Sequence, residues 1–190
     1  DIPKDILNQK SDWVEPGSLD LPGYKPTLDP NPKMIQQAAN LIKNSKKPIL
    51  YVGGGIIHSK ANQELFELST KFNIPVVTTL MGRGAFPDGH DLCLEMPGMH
   101  GNYTATTSIQ KSDLLIAIGV RFDDRVTANP SFFAQNAKVI HADIDPAEIG
   151  KVREAQVPIV GDAKSVIIGL IAALENTKLD TENWINELNS

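Results

Sequence analysis

The stretch AIGVRFDDRVTANP (117–130) concentrates charge directly after an apolar segment, with four charged residues within five positions: Arg121, Asp123, Asp124 and Arg125. Such a cluster could catalyse acid–base chemistry, bind an anionic ligand, or fix a loop through ion pairs. We expect Arg121 to contact a ligand, because a guanidinium is a permanent cation that donates hydrogen bonds to phosphate and other oxygens. We expect Asp123 to orient the loop or to contact the same ligand. Asp124 and Arg125 are adjacent, which predicts that they pair with other groups rather than with each other.

Three consecutive glycines, Gly53, Gly54 and Gly55, follow the apolar segment PILYV (48–52). Glycines at a strand end let a ligand approach the backbone and leave N–H groups at a helix start for an anion. The spacing is not the G-x-G-x-x-G dinucleotide pattern, because His58 stands in the place of the third glycine. The stretch is therefore either a phosphate-binding loop or a tight strand-to-helix turn.

Acidic residues follow two further apolar segments: Asp143 with Ile144 after KVIHA, and Asp162 with Gly161 after VPIV. A carboxylate at a strand end can accept hydrogen bonds from ribose hydroxyls, which favours a ligand role for Asp143. Asp162 precedes a helical pattern, so capping of that helix is its favoured role. A contact from Asp162 to an adenine amino group or ribose is the alternative.

Neither a nucleophile–base pair nor a metal-ligand spacing is visible among the serines and histidines. We therefore predict no catalytic residue and no metal site in this chain. His141 lies within an apolar segment and is predicted to pack in the core. His100, in the glycine-flanked stretch MPGMHG (96–101), is a candidate for a ligand contact.

The hydrophobic pattern supplies a scaffold for these candidate residues. Apolar segments predict strands at 48–52, 74–79, 113–119, 138–143 and 157–161. Between them, apolar residues recur every three or four positions, which predicts amphipathic helices. This alternation is typical of an α/β fold: a doubly wound, mostly parallel, Rossmann-like sheet of about six strands with helices on both faces. Ligands bind such sheets at the carboxyl ends of the strands, where the candidate residues fall.

Composition limits the function classes. The net charge is −5, the pI is about 5.3, and no run of Lys or Arg stands out, which argues against binding to nucleic acid or to a membrane surface. The apolar runs are too short to span a bilayer. Cys93 is the only cysteine, which excludes an internal disulfide and favours a reducing compartment, predicted to be the cytoplasm.

The distribution of proline suggests three segments. Six of the 13 prolines lie within residues 1–32, which predicts a linker rather than a helix or a central strand. We assign residues 33–176 to a nucleotide-type binding domain and residues 177–190 to the start of a second linker, with a trailing helix or tail over residues 180–190. The chain begins without methionine, which suggests a piece of a longer protein.

Six motifs occur along the chain in this order: YVGGG, TTLMGRGAFP, MPGMHG, GVRFDDRV, HADIDPAEIG and VPIVGD. In this order and spacing they resemble the central domain of the acetolactate synthase (acetohydroxyacid synthase) catalytic subunit, a thiamine diphosphate-dependent enzyme family. The resemblance extends to residue 175, and MPGMHG with GVRFDDRV is its most specific part. It implies that residues 33–176 form a central FAD-binding domain, and that the opening DIPKDI ends a preceding domain.

The resemblance also implies site residues, carried over position by position. The implied FAD contacts are Gly54, Thr79, Leu80, Pro97, Gly98, Met99, His100, Gly119, Val120, Arg121, Phe122, Asp123, Asp143, Ile144, Gly161 and Asp162. Pro97 stands where some members have an aliphatic residue, so only its backbone role carries over. Arg125, with Asp124 beside it, is implied to lie at the mouth of the active-site channel, where inhibitors bind.

For the whole enzyme the resemblance implies decarboxylation of pyruvate and its condensation with a second 2-keto acid, in branched-chain amino acid synthesis. Thiamine diphosphate and Mg²⁺ are implied to bind through other domains, while FAD has no net redox role. The implied partners are those other domains, a second copy or more of the chain, and a regulatory subunit. In a eukaryote the compartment would be the plastid or mitochondrion. We expect these 190 residues alone to be inactive and to bind FAD weakly, because other domains would complete the site.

Two alternatives stay open. The first is the central domain of another thiamine diphosphate enzyme, such as one acting on oxalyl-CoA or glyoxylate, with ADP or no cofactor bound. MPGMHG together with RFDDRV argues against it. The second is a stand-alone nucleotide-binding regulatory module, against which the truncated-looking start of the chain argues.

Overall fold

The computed structural model describes residues 1–15, 17 and 23–188. Two prolines of the predicted first linker, Pro16 and Pro22, lie outside the described residues, as do the last two residues of the predicted second linker. The described part of the first segment contains one short helix, α1 (Lys4–Leu7), which has no buried residue. This helix therefore adds nothing to the core.

From Pro32 onward, helices and strands alternate. The strands are β1 (Pro48–Val52), β2 (Val76–Thr78), β3 (Leu114–Ile118), β4 (Lys138–Asp143) and β5 (Val157–Val160). The remaining helices are α2 (Pro32–Asn44), α3 (Gly54–His58), α4 (Asn62–Phe72), α5 (Tyr103–Lys111), α6 (Asp124–Thr127), α7 (Ala163–Ala173) and α8 (Glu182–Leu188). Two 3₁₀ turns, Leu80–Gly82 and Pro130–Phe132, lie in the loops. Each strand lies within a predicted segment, so the α/β prediction is confirmed.

All five strands are parallel, in the order β2-β1-β3-β4-β5. The chain winds outward from β1 to β2, crosses back to β3 on the other side of β1, and continues to β4 and β5. Because the winding direction reverses between β1 and β3, a crevice forms outside their carboxyl ends. Val52 pairs with Ile118 and Ile118 with Ala142. The segments that follow β1, β3 and β4 therefore start side by side.

The described residues contain no sixth strand, although the sequence pattern suggested about six. Residues 92–95 run along the free edge of β2 instead. The Val76 N–H donates to the Leu92 carbonyl at 2.8 Å, and the Thr78 N–H donates to the Glu95 carbonyl at 2.9 Å. Glu95 has a φ of 64°, which interrupts the extended backbone. The segment thus covers the sheet edge without forming a regular ladder.

Helices cover both faces of the sheet. Leu50 and Val52 of β1 belong to the core cluster that includes residues of α2, α4 and α7. Ile49 and Tyr51 belong to the cluster on the opposite face, with residues of α5 and α8. This division follows from the alternation of side chains along a strand. All five residues of β1 are buried, as expected for a parallel strand covered on both faces.

Side-chain caps start the helices that flank the site. The Asp162 carboxylate accepts hydrogen bonds from the backbone N–H groups of Lys164 (3.0 Å) and Ser165 (3.4 Å) at the start of α7. The capping role predicted for Asp162 is therefore confirmed. The Asn102 side chain accepts from the Ala105 N–H at 2.7 Å and begins α5 in the same way.

Helix α8 packs against the sheet, although the sequence suggested a linker from residue 177. The Trp184 side chain is buried at 1% exposure, and its indole N–H donates to the Pro48 carbonyl at 3.2 Å. Lys47 lies over the Trp184 ring and forms an ion pair with Glu187 at 2.7 Å. Helix α8 thus closes the end of the sheet opposite the crevice.

Candidate functional site

Two cavities lie side by side at the carboxyl ends of the strands. One, of about 340 Å³, lies at the ends of β4 and β5 and is named the β4 cavity. The other, of about 440 Å³, lies at the end of β1 and is named the β1 cavity. Both are lined by Gly55, His58 and Gly119, so the two cavities adjoin across the crevice, and together they are named the groove. Volumes of this order are typical of small-molecule sites.

The groove gathers most of the residues that the sequence singled out. Besides the shared Gly55 and Gly119, the β4 cavity is lined by four of them: Asp143, Ile144, Gly161 and Asp162. The β1 cavity is lined by eight: Gly53, Gly54, Thr79, Leu80, Val120, Arg121, Asp123 and Arg125. Residues from five separate loops therefore meet at one edge of the sheet.

The three glycines after β1 differ in how closely other backbone atoms surround them. A Cβ on Gly53 would lie 2.4 Å from the Gly119 carbonyl oxygen, and one on Gly55 would lie 2.5 Å from the Gly119 Cα. The Gly55 N–H also donates to the Gly119 carbonyl at 3.0 Å. The tight-turn interpretation therefore holds for Gly53 and Gly55. At Gly54 a Cβ would meet nothing nearer than Met81 at 3.4 Å, so Gly54 has room to face a ligand.

Asp143 presents a partly desolvated acceptor to the β4 cavity. Burial raises the pKa of its carboxyl group, although the hydrogen bond from the Asp145 N–H to Oδ1, at 2.9 Å, acts in the opposite direction. A carboxylate can accept several hydrogen bonds, so this one bond leaves capacity for a ligand hydroxyl. Asp162 lines the same cavity, but its carboxylate serves the α7 cap.

The charge cluster after β3 separates into distinct roles. Asp123 caps α6, because its side chain accepts from the Arg125 N–H at 3.0 Å. That hydrogen bond lowers the pKa of the Asp123 carboxyl. The predicted outward pairing of Asp124 and Arg125 is wrong: their side chains pair with each other at 3.8 Å, and both are largely exposed. Arg121 lines the β1 cavity with an exposed side chain.

Some predicted contacts lie outside this groove. Phe122 is buried in the core, where its ring contacts those of Tyr51 and His141, so its side chain does not line either cavity. His141 is fully buried, which confirms its predicted core position. Pro97 and His100 line neither cavity.

A third cavity, of about 730 Å³, lies between the MPGMHG loop and α6. It is lined by Gly98, Met99, Asp124 and Arg125, among others. Gly98 has a φ of 96°, and a Cβ there would lie 2.6 Å from the Arg125 carbonyl oxygen. Arg125 lines both this cavity and the β1 cavity, so the two spaces adjoin at its side chain.

Comparison with known families gives a match over residues 35–170 to the family described as "Thiamine pyrophosphate enzyme, central domain". The match covers more than half of the chain. The chain belongs to this family.

Individual relatives of this thiamine pyrophosphate enzyme domain carry more specific names. The chain is 52% identical to the acetolactate synthase large subunit of Corynebacterium glutamicum, over 99% of the chain and 30% of that protein. It is 57% identical to the acetolactate synthase of Mycobacterium leprae, over 93% of the chain and 28% of that protein. A probable acetolactate synthase large subunit of Methanocaldococcus jannaschii is 48% identical, over 99% and 32% respectively. The chain thus spans about 30% of the length of these relatives.

Several residues line the groove without having been predicted as ligand contacts: Tyr51, His58, Ser59, Met81, Val126, Ala142 and Ala163. Tyr51 lies inside an apolar strand, so its polar end gave no separate signal. Its buried hydroxyl has no hydrogen-bond partner among the residues that the structure describes, and burial raises its pKa. The sequence could have indicated a ligand contact for His58, because His58 lies four residues after Gly54 and therefore shares a face of α3 with it.

Within residues 1–15, 17 and 23–188 of the chain, no group of three or more His, Cys, Asp or Glu side chains could hold a metal ion. Among the same residues, no helix has the length and apolar character needed to cross a bilayer.

Proposed function

We propose that the chain is the central domain of an acetolactate synthase large subunit and that its groove binds FAD. The identity with relatives that carry this name supports the first part. The observation that supports the second part is the junction at which the two cavities adjoin, because a dinucleotide needs two neighbouring spaces for its two halves. The shared residues Gly55, His58 and Gly119 provide that junction.

The chemistry of the two cavities suits the two ends of FAD. Asp143 in the β4 cavity offers an acceptor for ribose hydroxyls. The β1 cavity combines exposed apolar side chains, Leu80 and Met81, with the cation of Arg121. A flat ring system with polar edges could lie against such a surface, with Arg121 donating to its oxygens. We assign the adenosine end to the β4 cavity and the flavin end to the β1 cavity.

The proposal extends to the whole protein only by way of its relatives. In this proposal, the whole enzyme decarboxylates pyruvate and condenses the product with a second 2-keto acid. Thiamine diphosphate, whose chemistry would supply the decarboxylation, and Mg²⁺ would bind through other domains, so no residue of this chain is assigned a catalytic role. Residues 33–176 would form the central domain, against which α8 packs, and residues 1–32 and 177–190 would lead to the other domains. A dimer or larger assembly, a regulatory subunit and a cytoplasmic or organellar location belong to the same proposal.

The test is a titration of the complete gene product that contains these residues with FAD and, separately, with ADP. Tight binding of one FAD per chain, followed by flavin fluorescence, is the expected result. Pyruvate consumption should then require added thiamine diphosphate and Mg²⁺. The 190-residue chain serves as the control and should bind FAD more weakly without consuming pyruvate.

One specific observation keeps ADP as a second candidate ligand. The β4 cavity alone contains the acidic residues Asp143 and Asp162 and could hold an adenosine diphosphate without the β1 cavity. Binding of ADP with no binding of FAD would favour this alternative, the central domain of a different thiamine diphosphate enzyme. Absence of binding by both ligands would overturn the cofactor assignment.

A further inference from the structure

His58 lies where the two cavities of the groove meet. Of the three residues that line both cavities, Gly55 and Gly119 have no side chain, so His58 alone places a functional group at the junction. A ligand that occupies both cavities would cross the border that His58 lines. His58 therefore lies between the two ends of the groove rather than at either end.

Local structure holds His58 in this place. It is the last residue of the short helix α3, which follows directly from β1 through the glycine run. The ring edge, at Cδ2, lies 3.8 Å from the position a Cβ would take on Gly54. The imidazole therefore lies close to the backbone of Gly54, at the border between the two cavities.

The charges around His58 are unevenly distributed. The carboxylate residues that line the β4 cavity beside His58 are Asp143 and Asp162. The groove also has two arginines, Arg121 and Arg125, which line the β1 cavity and not the β4 cavity. Within the described part of the chain, His58 is therefore the one basic side chain that lines the β4 cavity, so it is the basic partner on that side for an anion at the junction.

We propose that His58 binds the diphosphate that joins the two halves of the dinucleotide. This inference rests on the proposed function, since only a ligand that spans both cavities places its linking group there. An imidazole can donate an N–H to a phosphate oxygen when neutral, and it adds a positive charge when protonated. The competing interpretation is a solvated surface histidine, because the His58 side chain is exposed.

The experiment compares three ligands on the complete gene product: FAD, ADP and riboflavin, with affinities measured by calorimetry. FAD and ADP contain the diphosphate, and riboflavin contains no phosphate. His58→Ala should weaken FAD and ADP roughly tenfold, the loss expected for one hydrogen bond to a charged group. Riboflavin affinity should stay unchanged. His58→Gln, which retains an N–H donor, should restore part of the loss.

Ile57→Ala is the matched control, because Ile57 is the exposed neighbour of His58 on the same helix and lines neither cavity. It should leave all three affinities unchanged. If the wild-type protein binds FAD and His58→Ala binds it equally well, the role of His58 is rejected while the proposed function stands. Equal weakening of all three ligands would also reject it. If the wild-type protein binds neither FAD nor ADP, both proposals fail.

Discussion

Gly55 and Gly119 touch each other across the ends of two neighbouring strands. The Gly55 N–H donates to the Gly119 carbonyl at 3.0 Å, and a Cβ on Gly55 would lie 2.5 Å from the Gly119 Cα. Gly119 itself has a φ of 58°, which disfavours a side chain there as well. This contact joins the loops after β1 and β3 and fixes the junction between the two cavities.

We predict that Gly55→Ala destabilises the protein, because the new methyl group can be accommodated only by moving backbone. The expected cost is about 1–3 kcal/mol in the free energy of unfolding, measured with urea. Gly54→Ala is the control, since its Cβ would meet Met81 only at ordinary contact distance, 3.4 Å. Equal stability of the two variants would contradict the packing role assigned to Gly55.

We predict that Trp184→Ala destabilises the fold by about 3–5 kcal/mol, as other deletions of a buried large side chain do. The variant loses the packing of a ring that is 1% exposed and the hydrogen bond to the Pro48 carbonyl. Trp13→Ala is the matched control, because Trp13 is 81% exposed, and it should change stability by less than about 0.5 kcal/mol. A marginal effect of Trp184→Ala in thermal unfolding would place α8 outside the cooperative unit.

The strands were predictable from the sequence, whereas the helix that carries Trp184 lies in a segment that was expected to be a linker. The strands and amphipathic helices follow from residue periodicity, which the packing on both sheet faces enforces. Helix α8 is short and carries one decisive aromatic side chain, so its pattern is too brief to distinguish a packed helix from a tail. Its position depends on Lys47 and Pro48, which lie far from it in sequence.

The candidate site was predictable at the level of strand ends but less so for single side chains. Asp143 and Arg121 were identified because polar residues after parallel strands must lie at one edge of the sheet. Phe122 could not be separated from them, because the turn that returns its ring to the core is a tertiary feature. The proximity of His58 to both cavities depends in the same way on how the loops of β1 and β3 meet.

We predict opposite effects of Asp143→Asn on stability and on ligand binding. Burial raises the pKa of Asp143, so its charged form is disfavoured in the folded protein. The carboxyl group then favours folding most at pH values below its ordinary pKa of 3.8, and this contribution is lost as the pH rises through the folded pKa. Relative to the wild type, Asp143→Asn should therefore gain stability between acidic and neutral pH. Its affinity for FAD and ADP should fall.

The measurement for Asp143→Asn is urea unfolding from acidic to neutral pH, combined with calorimetric titration at neutral pH. Asp145→Asn is the control for a nearby exposed carboxylate. Because the charge of Asp145 adds a smaller contribution to the raised pKa of Asp143, this variant should alter the pH profile less than Asp143→Asn does, and it should leave the ADP affinity unchanged. A stability difference between wild type and Asp143→Asn that does not grow with pH would contradict the burial argument. Unchanged ADP affinity would remove Asp143 from the site.

We predict that Arg121→Ala weakens FAD binding roughly tenfold, the loss of one charge-assisted hydrogen bond. Because Arg121 lines the β1 cavity and not the β4 cavity, the affinity for riboflavin should fall with that for FAD, while ADP affinity should not change. This pattern is the reverse of the one expected for His58→Ala, so the two variants together locate each part of the ligand along the groove.

Arg83→Ala is the matched control for Arg121→Ala, because Arg83 lies in the neighbouring loop, pairs with Asp88 at 2.9 Å and lines neither cavity. Its removal should leave all three affinities intact. Arg121→Lys keeps the charge but lacks the planar guanidinium, so it should retain only part of the FAD affinity. If Arg121→Ala weakens ADP and spares riboflavin, the two ends of the ligand are reversed along the groove, since the cation would then lie beside the adenosine half.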